Sequence, residues 1–236
     1  MNFGALLAGG TGSRMNSTGI PKQFLKLCGE PVIVHTLKKL VKANVFDKFI
    51  IAIHPDWKEH LARLLKEYAL SAEQIILVNG GKERIDSIEN ILKAALAESR
   101  SPDDIILLHD AVRPFVSTEI LADSILKARE VGACVAVVPA TDTMYVLDEK
   151  KLVSAIPPRR NMFHGQSPDT FKIGVLKQAI NSLTDVERKQ ITGTVQICFA
   201  KNIPVGTVQG SYRNIKITTP VDLSIAKSLL ETEDER

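Results

Sequence analysis

The 236-residue sequence has few cysteines, few aromatic residues and no long apolar run. Its three cysteines, Cys28, Cys134 and Cys198, are widely spaced and odd in number, which excludes a disulfide framework and a CxxC zinc site. We therefore predict that all three are reduced core residues. No apolar stretch approaches the roughly 20 residues of a membrane span, and no charged segment precedes the first apolar run. These absences predict a cytoplasmic protein with no membrane segment.

The sequence also lacks a strong charge of either sign. Its 30 Lys and Arg residues against 27 Asp and Glu residues leave a net charge of +3, and aromatic residues make up 5%. A protein without a basic block or an aromatic platform is a poor candidate for binding nucleic acid. Hydrophobic residues at 44% and charged residues at 24% are typical of a globular protein, and the length fits one α/β domain.

Short β-branched segments alternate with segments of helical periodicity along most of the chain. Strands are predicted at residues 3–7, 48–53, 75–78, 104–109 and 133–138. Helices are predicted at residues 31–43, 56–68, 85–96, 117–131, 173–182 and 221–230. The strands are apolar on both faces, so this order predicts an α/β fold with a mostly parallel, twisted sheet covered by helices on both sides. The loops after the parallel strands then meet at one edge of the sheet.

The alternation stops between about residues 139 and 171. Two short strands, at 144–147 and 152–156, surround a turn and are followed by a polar loop. This segment is too small to form a core and too apolar to stay in water, so we predict a protruding β-arm that packs against a second subunit. The sequence contains no linker or repeat, and we predict one domain over 1–236 with this arm as an insertion.

A glycine-rich loop follows the first predicted strand, with the sequence LAGGTGSRM at residues 7–15. Its glycines let the backbone approach a ligand closely and point N–H groups into one concavity that suits phosphates. The P-loop pattern GxxxxGK[ST] is absent. A dinucleotide fingerprint needs glycine where Met15 stands and an acid at the end of the second strand, which argues against an NAD-dependent oxidoreductase. A plain structural turn remains an alternative.

Two cations flank this loop, Arg14 and Lys22. Nucleotidyl transfer places additional negative charge on the α-phosphate and on the departing pyrophosphate, and fixed cations stabilise that charge. Each residue alone would usually be an exposed surface charge. Beside the same phosphate-binding loop, they predict a catalytic pair.

Five motifs in order then resemble one family. The motifs are LAGGTGSRM…PKQF, GGKERIDS at 80–87, HDAVRP at 109–114, GQSP at 165–168 and NIKIT at 214–218. The chain resembles the family that holds 2-C-methyl-D-erythritol 4-phosphate cytidylyltransferase and D-ribitol-5-phosphate cytidylyltransferase. The resemblance covers residues 4 to about 226, and it implies a Rossmann-like nucleotidyltransferase fold that transfers CMP from CTP to a small polyol phosphate.

The resemblance implies that the first loop and the GGKERIDS turn hold CTP. The implied CTP-binding residues are Leu7, Ala8, Gly9, Gly10, Thr11, Gly12, Gly81, Lys82, Glu83, Arg84, Ile85, Asp86 and Ser87. For Arg84 and Ser87 the alternative is an exposed helix start and a helix cap. Asp110, at the end of the fourth strand, is predicted to bind the Mg²⁺ of the triphosphate, with a loop-anchoring role as the alternative. Arg113 is predicted to brace this loop and His109 to serve packing or backbone bonding.

The resemblance also implies where the acceptor phosphate binds. Lys216, predicted in a short apolar strand, and Arg159 are implied to hold it, although the neighbouring Arg160 leaves that assignment ambiguous by one residue. In this family the arm that contains Arg159 exchanges across a dimer, so a homodimer with shared sites is implied. Arg14, Lys22, Arg159 and Lys216 are thus the predicted catalytic residues. A catalytically silent nucleotide-binding homologue, the alternative from another class, would have lost one of these cations.

The acceptor is predicted from the segment that begins at Ile156. Its pattern, IPxRxxMxxGQ, resembles the ribitol phosphate branch and favours D-ribitol 5-phosphate, with CDP-ribitol as product for teichoic acid or surface polysaccharide. The alternative acceptor is 2-C-methyl-D-erythritol 4-phosphate of isoprenoid synthesis. One departure concerns both branches, because this chain reads Ile191-Thr192-Gly193-Thr194 where the family commonly has an acid ahead of its last segment. This part of the acceptor pocket therefore differs from the family pattern.

Overall fold

The computed structural model describes residues 1–10, 19–70 and 72–234. A seven-stranded sheet forms the centre, with strand order β11-β7-β10-β6-β1-β4-β5. Its strands are β1 Asn2–Ala8, β4 Lys48–Ile53, β5 Ile75–Asn79, β6 Ile105–Asp110, β7 Ala133–Pro139, β10 Phe163–Lys172 and β11 Gly206–Gln209. Strand β10 runs antiparallel to both of its neighbours, and the other pairings are parallel. The predicted mixed α/β fold with a mostly parallel sheet is confirmed.

Two short hairpins, the α-helices and four short 3₁₀ turns complete the secondary structure of the described residues. The hairpins are β2 Lys26–Leu27 with β3 Glu30–Pro31, and β8 Val146–Leu147 with β9 Val153–Ala155. The helices are α1 Val32–Lys42, α2 Lys58–Glu67, α3 Arg84–Glu98, α4 Thr118–Val131, α5 Ile173–Asn181, α6 Asp185–Gln190, α7 Val195–Phe199 and α8 Pro220–Asp234. Among the helices of the described residues, none combines the length and apolar content needed to cross a bilayer.

Helices cover both faces because successive strand residues point to opposite sides of the sheet. In β1, Leu6 packs into one cluster with residues of α1, α2 and α4, whereas Phe3 and Ala5 pack into a second cluster with residues of α3 and α5. The same alternation continues through β4 and β6. Since both faces of each strand are buried, the strands read as continuous apolar runs.

The region after Pro139 differs from the prediction in one respect. The arm was expected to extend to about residue 171, but Phe163–Lys172 is a sheet strand that lies between β6 and β7. It was missed because its sequence, FHGQSPDTFK, contains glycine, proline and several polar residues and has no apolar periodicity. The excursion therefore covers residues 140–162, and its β8–β9 hairpin is exposed. Apolar side chains of the excursion between 47% and 62% exposed are Tyr145, Val146, Leu147, Leu152, Val153 and Ile156.

Two further predictions are wrong in detail. Lys216 does not lie in a strand; its segment is irregular, and Ile217 N–H donates to Val112 O in the loop after β6.

Of the three predicted core cysteines, Cys134 and Cys198 are buried, and burial raises the pKa of their thiols to about 12 and about 11. Cys28 is exposed instead, because it occupies the turn between β2 and β3 with φ 48°.

Candidate active site

The first glycine loop leaves the carboxyl end of β1. Gln23, which is 2% exposed, donates its amide N–H groups to Ala8 O at 2.7 Å and Gly10 O at 3.1 Å. A buried amide that satisfies two loop carbonyls holds this start of the loop in place. Lys22 lies next to Gln23 in the turn Lys22–Phe24, so the same contact positions Lys22 at the loop.

The second loop, after β5, packs directly on the first. A Cβ atom on Gly80 would come 2.9 Å from the Cα of Gly9, so only glycine allows this approach. Gly81 N–H donates to Ser87 Oγ at 3.0 Å, and a capping box between Glu83 and Asp86 begins α3. Ser87 is thus a brace for the turn rather than the helix cap, and α3 points its N-terminus toward the site.

Asp110 ends β6 and collects three cations. Its Oδ1 accepts from Arg84 Nη1 at 3.1 Å, while its Oδ2 lies 3.3 Å from Arg113 Nε and 3.0 Å from Lys216 Nζ. Burial alone would raise the pKa of Asp110, but the charges of Arg84, Lys216 and Arg113 together hold it well below its usual range. One buried carboxylate with three cations leaves an excess of positive charge at the edge of the sheet.

A buried hydrogen-bond chain fixes the backbone below Asp110. Asp110 N–H donates to Ser167 Oγ at 3.1 Å, Ser167 Oγ lies 3.0 Å from His109 Nδ1, and His109 Nε2 lies 3.1 Å from Arg113 O. Burial is the main reason that the pKa of His109 falls to about 4, so the ring is neutral and donates from Nε2. The predicted backbone-bonding role of His109 is confirmed. Arg113 also donates to Asn214 O at 2.7 Å, which confirms its predicted role as a brace.

These loops line a pocket of about 220 Å³ at the carboxyl edge of the sheet. Among the residues predicted from the sequence, the pocket is lined by Leu7, Ala8, Gly9, Gly10, Lys22, Gly81, Lys82, Glu83, Arg84, Ser87, Asp110 and Lys216. Gln23 and Val112 also line it. We call it the loop pocket. Separate segments of the sequence thus meet where the predicted phosphate site should lie.

A second pocket, of about 320 Å³, lies beside the first and shares Arg84, Asp110 and Lys216 with it. We call it the strand pocket, because β10 contributes its wall through Gln166, Ser167 and Asp169. Residues 192–196 form another part of the wall, including the Thr192-Gly193-Thr194 segment that departs from the family pattern. Arg84 joins the two pockets, since its Nη2 lies 3.4 Å from Thr194 Oγ1.

Some predicted site residues lie elsewhere. Ile85 is 3% exposed and packs in the core, and Asp86 is occupied by the capping box, so neither side chain lines the loop pocket. Arg159 is exposed in a 3₁₀ turn, donates to Thr141 O at 3.1 Å, and lines neither pocket of its own chain. Thr11, Gly12 and Arg14 lie outside the described residues, so their roles remain predictions.

Sequence reasoning missed two polar residues of the site. Gln23 is part of the PKQF motif, but nothing in the pattern shows that its amide serves the loop carbonyls. Asp169 follows the GQSP motif and lies 8% exposed in the strand pocket. Its strand was not recognised, so no periodicity argument could place it; the available signal was an acid directly before Thr170 and Phe171, two residues of high β-propensity.

Both oxygens of Asp110 are paired with cations, Oδ1 with Arg84 and Oδ2 with Arg113 and Lys216, so a metal ion would compete with these partners for the carboxylate. The described residues also contain no group of three or more His, Cys, Asp or Glu side chains placed to hold a metal. A divalent ion would have to be held mainly by the triphosphate, so the assignment of Asp110 to Mg²⁺ remains a prediction.

A mostly parallel sheet with helices on both faces and a cationic site at the carboxyl ends of its strands defines a protein of the nucleotidyltransferase class. The particular family follows from comparison with known proteins. The model of the 2-C-methyl-D-erythritol 4-phosphate cytidylyltransferase family (IspD) matches residues 4–232, and the chain belongs to this family. It is therefore a nucleotidyltransferase that uses CTP.

Solved structures agree with this assignment. The 4-diphosphocytidyl-2C-methyl-D-erythritol synthase of Anaerococcus prevotii is similar with a TM-score of 0.81 and 25% identity, over 98% of this chain and 96% of that one. The 2-C-methyl-D-erythritol 4-phosphate cytidylyltransferase of Francisella tularensis has a TM-score of 0.78 and 27% identity, over 96% and 98%. That of Thermus thermophilus has a TM-score of 0.73 and 26% identity, over 98% and 100%. The preference for the ribitol phosphate branch is not confirmed, and these comparisons favour the alternative acceptor.

Proposed function

We propose that this chain transfers CMP from CTP to 2-C-methyl-D-erythritol 4-phosphate and releases pyrophosphate. The family match favours this acceptor. The observation that carries the transfer reaction is the cluster of Arg84, Lys216 and Asp110, which belongs to both pockets. A nucleotide in the loop pocket and a phosphorylated acceptor in the strand pocket would meet at this cluster. Two anionic substrates need excess positive charge at the point of contact, and the cluster supplies it.

The acceptor's phosphate oxygen is the nucleophile in this proposal. It is anionic at neutral pH, since the second pKa of a phosphate monoester is about 6, and it needs no general base. The oxygen forms a bond to the α-phosphorus of CTP while the bond from that phosphorus to the bridging oxygen of pyrophosphate breaks. Holding two anions in line is the main contribution of the protein. Arg84 and Lys216 hold the reacting phosphates, while Lys22 and the loop amides stabilise the departing pyrophosphate.

Arg84 is well suited to the shared position. Its buried Nε has no hydrogen-bond partner among the described residues, although Nη1 and Nη2 are engaged. An unsatisfied buried N–H is unfavourable until a ligand oxygen accepts from it. A phosphate oxygen at the junction would satisfy this donor, and this supports the view that Arg84 contacts substrate.

A second candidate acceptor is D-ribitol 5-phosphate, favoured by the IPxRxxMxxGQ segment at 156–166. Both acceptors carry a phosphate and several hydroxyl groups, so the cation cluster alone does not distinguish them. The test is release of pyrophosphate from CTP with each acceptor in turn, in the presence of magnesium. Faster turnover with 2-C-methyl-D-erythritol 4-phosphate supports the proposal. Faster turnover with ribitol 5-phosphate reverses the choice, and no release with either favours a catalytically silent homologue.

We further propose a single-domain cytoplasmic protein that forms a homodimer through the arm. The exposed apolar side chains of residues 145–156 support this, because such a patch is usually covered by a partner. Arg159 follows this hairpin and lines neither pocket of its own chain. In a dimer with exchanged arms, Arg159 would reach the strand pocket of the other subunit and hold the acceptor phosphate there.

A further inference from the structure

The strand pocket is lined by two groups of different chemistry. In the first group Arg84, Arg113 and Lys216 surround Asp110, and these cations suit a phosphate. The second group is Asp169 on β10 with the segment Thr192–Thr194. Asp110 and Asp169 are the two carboxylates that line the pocket. They differ in their partners: Asp110 forms ion pairs with three cations, whereas the hydrogen-bond partner of Asp169 is the neutral side chain of Thr194, and the charges of Arg84 and Arg113 act on Asp169 without a direct ion pair among the described residues.

Asp169 is held firmly in this position. Its backbone pairs with Leu108 of β6 on one side and Val135 of β7 on the other, in the interior of the sheet. The register of β10 shifts between Gln166 and Asp169, a type of irregularity that redirects side chains. Burial is the main reason that the pKa of Asp169 rises to about 6, which leaves the carboxylate ionised at neutral pH despite the cost.

A buried carboxylate with spare acceptor capacity has a clear use in this pocket. It repels a phosphate and accepts hydrogen bonds from hydroxyl groups, and such charge-assisted bonds are stronger than neutral ones. The side-chain oxygen of Gln196, on the same wall, is already engaged, since it accepts from Thr192 N–H and Gly193 N–H. An acceptor with its phosphate at the cations around Asp110 would therefore have its hydroxyl groups available to Asp169.

We propose that Asp169 binds a hydroxyl group of the acceptor and selects for acceptors that carry a hydroxyl at that position. This inference rests on the proposed function, since it takes the strand pocket to be the acceptor site. A site built around a hydroxyl group rejects an analogue that lacks this hydroxyl. With such an analogue bound, the buried carboxylate would have no donor for one of its hydrogen bonds. Asp169 thus acts in acceptor specificity rather than in nucleotide binding.

The test compares wild type with Asp169→Asn, using the acceptor that supports faster turnover and a set of its singly deoxygenated analogues. We expect the KM for the acceptor to rise about tenfold or more in Asp169→Asn, because a charge-assisted hydrogen bond is replaced by a weaker neutral one. The KM for CTP should stay the same. One deoxy analogue should be much poorer than the acceptor with wild type but nearly equal to it with Asp169→Asn.

The control is Asp123→Asn, the same chemical change at an exposed position of α4 that lines neither pocket. It should match wild type throughout. If Asp169 only braces the wall through Thr194, the KM for every analogue will rise by the same factor, and the proposal is overturned. An unchanged KM for the acceptor overturns it as well. If wild type releases no pyrophosphate with either acceptor, the proposed function fails first and the inference falls with it.

Discussion

The ammonium group of Lys216 lies 3.0 Å from Oδ2 of Asp110, at the junction of the loop pocket and the strand pocket. Lys216 is 37% exposed, whereas Asp110 is 8% exposed, so the lysine separates the carboxylate from solvent. A lysine held by a buried acid is positioned before any substrate arrives, which lowers the ordering cost of binding. The pair therefore connects the C-terminal part of the chain to the junction of the two pockets.

Lys22→Ala should lower turnover by about two orders of magnitude or more, because a fixed cation near the departing pyrophosphate is lost. Folding should survive, since Lys22 is only half-buried at the pocket wall. Steady-state kinetics and circular dichroism measure both. Lys26→Ala removes an exposed lysine from β2 close by and should leave turnover near normal. Normal turnover of Lys22→Ala would reject the catalytic role.

Asp110→Asn should destabilise the protein, since Arg84, Arg113 and Lys216 would lose their common anion. Breaking a buried ion pair costs about 3–5 kcal/mol. The pKa of Asp110 is lowered in the folded state, so its stabilising contribution is present above the usual pKa of 3.8 and disappears as the pH falls below it. Urea unfolding should show a large difference from wild type at pH 7, nearly the same difference at about pH 4, and a smaller one only as the pH falls well below 3.8 toward the lowered pKa of Asp110. A difference independent of pH would contradict this account.

Gly81→Ala should impair folding of the second loop. A Cβ atom at Gly81 would lie 2.0 Å from the Cβ of Asp86, which belongs to the capping box of α3. Loss of a helix cap alone costs about 0.5–2 kcal/mol, and the steric clash adds to it. Thermal unfolding should show a lower Tm. Gly10→Ala is the matched control for Tm, because a Cβ atom there meets nothing within 4 Å among the described residues.

Asp169→Asn should raise the stability of the protein above pH 6. The pKa of Asp169 is raised from 3.8 to about 6 in the folded state, so its ionised form opposes folding at higher pH. This penalty, on the order of 2–3 kcal/mol, is relieved as the pH falls from about 6 to below 4. The Tm of the variant should exceed that of wild type at pH 8 and approach it near pH 4. A lower Tm at pH 8 would show that the carboxylate stabilises the fold.

Mixing two inactive variants should restore activity if sites are shared between subunits. A dimer that combines Lys22→Ala with Arg159→Ala would have one site with both defects and one intact site. After subunit exchange, about a quarter of all sites would be intact. Pyrophosphate release by the mixture measures this recovery. Replacing Arg160 in place of Arg159 resolves the ambiguity between the two, and no recovery with either would contradict an exchanged arm.

Local patterns predicted the sheet strands that are apolar on both faces. Lys48–Ile53 was predicted with its observed bounds, because a short β-branched run between polar segments has few alternatives. Strand β10 was missed because its sequence is partly polar. Its polar side chains line the strand pocket, which exists only in the folded chain, so no apolar pattern marks this strand in the sequence. Lys216 was predicted in a strand because its neighbours are apolar. In the fold this segment is irregular, and its backbone bonds to the loop after β6 through Ile217 N–H and Val112 O.

By itself, the sequence determined the alternation of strands and helices, the glycine loop and the motifs of a cytidylyltransferase, because each depends on residues close together in the chain. Tertiary structure decided which residues meet. Arg84 and Asp110 are 26 residues apart in the sequence, and Lys216 lies much further along the chain. In the fold all three form one cluster. Asp169 reaches the same edge because an antiparallel strand inserts between β6 and β7. Long-range pairing of this kind depends on burial of the whole sheet, which no local window of sequence contains.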